Sequence, residues 1–141
     1  MTKQAMIFAA GIGKRMLPIT ETTPKALVKI NQDSLLVNNI KKLIKSNFDP
    51  IVINTFHFTE KIIDEVKDFK KYVNIVVEEI RLETGGGLMN CLKKKHLSWH
   101  SPILLLNSDV YWIDNFYSTV DLILDSWNPE LMDLILCMKK K

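Results

Sequence analysis

The sequence predicts an α/β fold: a doubly wound, three-layer α/β/α domain with a mostly parallel sheet. Short apolar runs alternate with stripes at helical spacing, and the first run, Ala5 to Ala10, ends at glycines. That first run is apolar throughout, as a central strand buried on both faces would be. Parallel neighbours need crossover connections, so strands that alternate with helices imply a sheet covered on both sides.

A long loop runs from the first strand to Ile30. Ser34 is the expected N-cap of a helix carrying Leu35, Leu36, Ile40, Leu43 and Ile44 and stopping near Asn47. Pro50 marks a turn, Ile51 to Asn54 is the second strand, and Thr59 to Phe69 is a helix with Ile62, Ile63 and Val66 on one face. Val73 to Val77 is the third strand. Gly85-Gly86-Gly87 precedes a helix through Leu92, and Ile103 to Leu106 is the fourth strand. Phe116 to Trp127 is a helix and Leu131 to Cys137 the last strand. The stripes Leu88, Met89, Leu92 and Leu122, Ile123, Trp127 are assigned to core, because apolar stripes at helical spacing normally pack inward.

At 141 residues the chain is read as one domain, 1–141, with 47% hydrophobic and 25% charged residues. Nineteen basic and 16 acidic residues are dispersed, so no nucleic-acid surface is expected. Lys93-Lys94-Lys95 and Lys139-Lys140-Lys141 read as solvated ends. No apolar run reaches the roughly 20 residues of a membrane helix. Ala5 to Ile12 is similar to a short signal-peptide core, but it runs into Gly13-Lys14-Arg15 and lacks a small-residue cleavage pattern. Cys91 and Cys137 lie in apolar runs without paired spacing, which predicts two buried thiols in a reducing, cytoplasmic setting. His57, His96 and His100 show no ligand spacing.

The chemistry is concentrated in Ala9-Ala10-Gly11-Ile12-Gly13-Lys14-Arg15-Met16-Leu17-Pro18-Ile19-Thr20, continued by Pro24-Lys25-Ala26-Leu27. Ala9 and Ala10 leave room for a flat base or ribose, and Gly11 and Gly13 let backbone N–H groups approach phosphate. Arg15 offers a planar fork of donors and Lys25 a mobile point charge. Met16 stands where a dinucleotide fingerprint needs its third glycine, and Arg15 where a P-loop needs Ser or Thr. In parallel sheets ligands bind beyond the carboxyl ends of the strands, where Gly85-Gly86-Gly87 and Asp109 would also lie. Asp109 can equally cap a turn, the three glycines can be a flexible turn, and Asn54 can reach a base or cap its strand.

The stretch Ala9 to Leu27 resembles the signature of sugar-1-phosphate nucleotidyltransferases. Leu82-Glu83-Thr84-Gly85-Gly86-Gly87 and Leu104-Leu105-Leu106-Asn107-Ser108-Asp109 resemble two later motifs of that family, in the expected order. The Glu-Thr-Gly-Gly-Gly form is most similar to N-acetylmuramate-1-phosphate uridylyltransferases, then to mannose-1-phosphate guanylyltransferases.

The resemblance implies a Rossmann-like nucleotidyltransferase fold, incomplete at the C-terminus. It also implies transfer of a nucleoside monophosphate from UTP or GTP to a sugar 1-phosphate, giving NDP-sugar and pyrophosphate. By the same resemblance Gly11, Gly13 and Arg15 hold the triphosphate, Lys25 neutralises charge at the α-phosphate, and Arg15 and Lys25 are the catalytic cations. Gly85 and Gly86 offer backbone to the base, and Asp109 binds Mg²⁺. Ser108 stands where the family usually has glycine. Family members continue beyond Lys141 and there supply a second metal-binding Asp and most of the sugar-phosphate pocket. Two expectations follow: an enzyme completed by a partner chain or homo-oligomer, or a nucleotide-binding remnant or regulatory domain of the same fold.

Overall fold

In the computed structural model, residues 2–138 are described, so the predicted cluster Lys139-Lys140-Lys141 lies outside them. The chain divides after Tyr111 into two compact units.

The first unit begins with β1 (Gln4–Phe8), whose Ala5, Met6 and Ile7 are fully buried. Two-residue strands β2 (Lys29–Ile30) and β3 (Asp33–Ser34) form an antiparallel hairpin, turned through Asn31 at φ 60°. The helix α1 (Leu35–Lys45) starts where its cap requires, with the Ser34 hydroxyl accepting from Val37 N at 3.1 Å. There follow β4 (Ile51–Thr55), α2 (Thr59–Glu65), β5 (Val73–Val77), α3 (Glu83–Lys93) and β6 (Ile103–Asn107).

The four long strands are all parallel, in the order β5-β4-β1-β6. Side chains alternate across the sheet, so Met6, Val52 and Val76 share one face and pack with Cys91, Leu92 and Leu97. Ala5, Ile7, Ile51 and Ile53 fall on the other face, all fully buried. Right-handed crossovers place α1 and α2 on that second side, since both connect strands that step in one direction. At the amino ends of β1 and β6, buried Gln4 is satisfied three times over: its amide donates to Ser98 O and Ser101 O, and its oxygen accepts from Ser98 N.

Several sequence expectations need correction. The helix after Thr59 ends at Glu65, with a separate tight turn at Lys67–Phe69, and Ile63 is on its outer side at 40% exposure. Met89 and Leu122 are likewise exposed rather than core. Gly85-Gly86-Gly87 does not precede α3 but lies within its first turns.

In the second unit, α4 (Thr119–Ser126) starts at the Ser118 cap instead of Phe116, because the Ser118 hydroxyl accepts from Asp121 N. The expected strand Leu131 to Cys137 does not form among the described residues. A strand is defined by ladder partners, and this run has none; Leu131, Leu134 and Leu136 are 68–79% exposed. Cys137 is accordingly exposed, while Cys91 is buried as expected.

Burial pushes the Cys91 thiol up to about 11, with the nearby Glu78 carboxylate adding to the rise. Since the thiolate is the reacting species, a disulfide reagent at pH 8 should modify Cys137 promptly and Cys91 only after unfolding. Thiol titration before and after denaturant checks this; two fast equivalents would contradict the packing of α3.

Candidate functional site

The order β5-β4-β1-β6 reverses direction beside β1: the chain steps from β1 to β4 and β5, then returns to lay β6 on the opposite side. Such switch points open a crevice at the carboxyl ends of the strands. A cavity of about 430 Å³ lies there, lined by the segment Phe8 to Met16, by Pro24 to Ala26, by Asn54, by Arg81, Glu83 and Thr84, and by Asn107 to Asp109.

The wall after β1 is built from small residues. Ala9 and Ala10 are at most 9% exposed, and a Cβ added at Gly11 would meet nothing within 4 Å, so the cleft is open to this backbone. Gly13 has φ +71°, a conformation that penalises any side chain, and its backbone is pressed against buried Thr20. An added Cβ would lie 2.8 Å from Thr20 Cγ2, and the Thr20 hydroxyl donates to Gly13 O at 2.8 Å. That contact folds the loop back and starts the tight turn Lys14–Met16, with Met16 N donating to Gly13 O at 2.9 Å. Arg15 is exposed and borders the cavity.

Lys25 opens another tight turn, Lys25–Leu27, and its ammonium forms an ion pair with Asp109 Oδ2. Both side chains are 31% exposed, neither buried nor fully solvated. Asp109 follows β6 by two residues, and Ser108 N donates to Phe8 O at 3.2 Å, which binds this segment to the end of β1. Ser108 is 8% exposed and sits in the cavity wall. Among the described residues no group of three or more His, Cys, Asp or Glu could hold a metal ion. Mg²⁺ is commonly held by one or two carboxylates together with substrate phosphates and water, and Asp109 could serve as one such carboxylate once Lys25 swings away from it.

The structure therefore gathers Ala9, Ala10, Gly11, Gly13, Arg15, Lys25 and Asp109 around one cleft. Gly85 and Gly86 do not line it; from that segment the cavity meets Arg81, Glu83 and Thr84. Sequence reasoning left Asn54 open, placed Thr20 and Gly87 within motifs without giving either a role of its own, and missed Glu78. Asn54 and Glu78 are 2% and 3% exposed and bonded to each other at 2.7 Å, and a Cβ at Gly87 would lie 2.8 Å from both side chains. The available signal was parity, because Glu78 falls on the same strand face as core residue Val76.

Gly13→Ala should lower affinity for inorganic tripolyphosphate, since the turn can neither keep φ +71° at no cost nor clear Thr20. Calorimetry checks it; unchanged affinity with unchanged melting temperature would remove the turn from the site.

Residues 4–135 match the family described as nucleotidyl transferase. The N-acetylmuramate alpha-1-phosphate uridylyltransferase of Caulobacter vibrioides is 32% identical over 96% of this chain and 57% of its own length. The enzyme of the same description from Neisseria meningitidis is 38% identical over 76% of this chain and 47% of its own length. The chain thus spans about half the length of these curated relatives. Among solved structures, the CTP:phosphocholine cytidylyltransferase of Streptococcus pneumoniae superposes with a TM-score of 0.63 at 28% identity, over 83% of this chain and 49% of that one. A glucose-1-phosphate thymidylyltransferase from Bacillus anthracis gives 0.73 at 18% identity, over 88% and 51%, a likeness of fold.

Proposed function

We propose, from the premise that this chain belongs to the nucleotidyl transferase family, that its cleft binds a nucleoside triphosphate and supports nucleotidyl transfer to a sugar 1-phosphate. The observation that carries this reading is the single cleft shared by the Gly11–Arg15 turn, Lys25 and Asp109 at the switch point of a parallel sheet. UTP is the first candidate nucleotide, on the strength of the two uridylyltransferase relatives, and GTP the second.

In this reading backbone N–H groups of the glycine turn and the Arg15 guanidinium hold the triphosphate, and Lys25 offsets charge at the α-phosphate. Asp109 would hold Mg²⁺ jointly with the phosphates, and the ion would offset negative charge growing on the phosphoryl and leaving-group oxygens. A sugar 1-phosphate oxygen attacks the α-phosphorus in line, one P–O bond forms, and the bond to pyrophosphate breaks. The attacking oxygen is already anionic, so no general base is needed. Two free thiols, Cys91 and Cys137, accord with a cytoplasmic setting.

A second reading is nucleotide binding without turnover, favoured by Asp109 being the single aspartate among the residues that line the cleft. Acceptor positioning is worth about 7–11 kcal/mol in favourable cases, so a nucleotide site that does not position an acceptor would show no measurable turnover. A partner chain or second copy supplying an acceptor pocket would restore it.

Calorimetry with UTP and GTP, with and without Mg²⁺, tests the shared part of both readings. Arg15→Ala should weaken triphosphate binding roughly 10- to 100-fold, the worth of a charge-assisted contact, while leaving the melting temperature in place. Asp109→Asn should remove the Mg²⁺ dependence. Pyrophosphate release with N-acetylmuramate 1-phosphate or mannose 1-phosphate then selects between the readings. Absence of any triphosphate binding in excess Mg²⁺ would overturn both.

A further inference from the structure

Asn54 and Glu78 form a nearly solvent-free amide–carboxylate pair at the base of the cleft. A buried carboxylate with few donors is a poor contributor to stability, because its desolvation offsets most of what its bonds return. The side-chain hydrogen bonds of this pair instead join parts of the cleft. Asn54 Oδ1 accepts from Ala9 N at 3.2 Å, at the root of the glycine turn. Asn54 Nδ2 donates to Glu78 Oε1 at 2.7 Å, and Glu78 Oε2 accepts from Leu82 N at 3.1 Å. Leu82 is the residue from which α3 departs, and it is followed by the wall residues Glu83 and Thr84. The chain of bonds therefore runs from the phosphate-side wall to the wall formed by α3. Gly87 is fitted to it, since any β-carbon there would collide with Asn54 Nδ2 and Glu78 Oε1.

We infer that Asn54, acting through Glu78, is a positioning residue that fixes the α3 wall relative to the glycine turn, so that base and triphosphate are gripped together. This rests on the nucleotide-binding reading above. Both ends of the Asn54 amide are engaged inside the protein, so its influence on a ligand passes through Ala9 and Glu78. The phosphate-side wall keeps a second tie when Asn54 changes, because Ala9 N also donates to the Asn54 main-chain oxygen at 3.2 Å. Loss of the side-chain pair should therefore be felt by a base-bearing ligand and little by a bare phosphate chain.

The experiment compares Mg²⁺-UTP with Mg²⁺-tripolyphosphate by calorimetry, with melting temperature recorded for each variant. Asn54→Asp keeps the acceptor for Ala9 but sets two carboxylates face to face. It should lose at least about tenfold for UTP, the scale expected of a sub-ångström to ångström misplacement, and less than about twofold for tripolyphosphate. Adding Glu78→Gln exchanges amide and carboxylate while preserving each hydrogen bond, and should return UTP affinity to near the wild-type value. Gly87→Ala removes no polar group and places a better helix former in α3, yet should reproduce the selective loss by wedging the pair apart.

If the exchanged pair fails to recover UTP binding, or if the two ligands weaken in parallel, the positioning role is overturned. A wild-type chain that binds neither ligand overturns the functional reading and this inference together. One that binds both while Asn54→Asp and Gly87→Ala have no effect overturns the inference alone.

Discussion

Parallel pairing on both sides of β1 is the constraint from which the rest of the molecule follows. A strand with parallel neighbours at each edge cannot be joined to either by a hairpin, so the chain must return across the sheet before each new strand. All four carboxyl ends then point one way. Because β4 and β6 take opposite sides of β1, the strand order reverses there, and such a switch point opens a crevice beyond the carboxyl ends of the strands. The glycine turn and Asp109 meet there for that topological reason, although nearly a hundred residues of sequence separate them.

Much of this was legible in the chain itself. β1, β4, β5 and β6 coincide within two residues with apolar runs bounded by turn residues, and Ser34 identified the start of α1 by its capping chemistry. The run at Leu131 to Cys137 was misread because a short apolar segment satisfies a strand pattern without possessing a partner. Ile63, Met89 and Leu122 were misassigned for a related reason. Helical spacing says which residues share a stripe, but where that stripe ends depends on what packs against it, and these three sit at the margin.

The site divides along the same line. Gly13, Arg15, Lys25 and Asp109 stand out in the sequence by local conformation, charge and position after a strand, and the fold brings all four to one cleft. Asn54, Glu78 and Gly87 come from three separate elements, and only the assembled sheet brings them together. Gly87 illustrates the point: in sequence it looks like one of three glycines in a flexible turn, whereas in the fold it is a helical residue whose missing side chain makes space for a buried amide. Gly85, its neighbour by two, faces open space, so identical residues in one run answer to different demands.

The Lys25–Asp109 ion pair also governs what an arriving guest encounters. Paired in this way, the ammonium and the carboxylate neutralise each other, so neither stands as a lone charge in the cleft wall. Under the proposed function, an entering polyanion would draw the lysine away from the aspartate and leave the carboxylate to a positive substitute. Occupancy by an anion and occupancy by a cation would thereby be linked through a single exchange of partners. A lone multivalent anion or a lone divalent cation would be at a disadvantage against the two arriving as one complex.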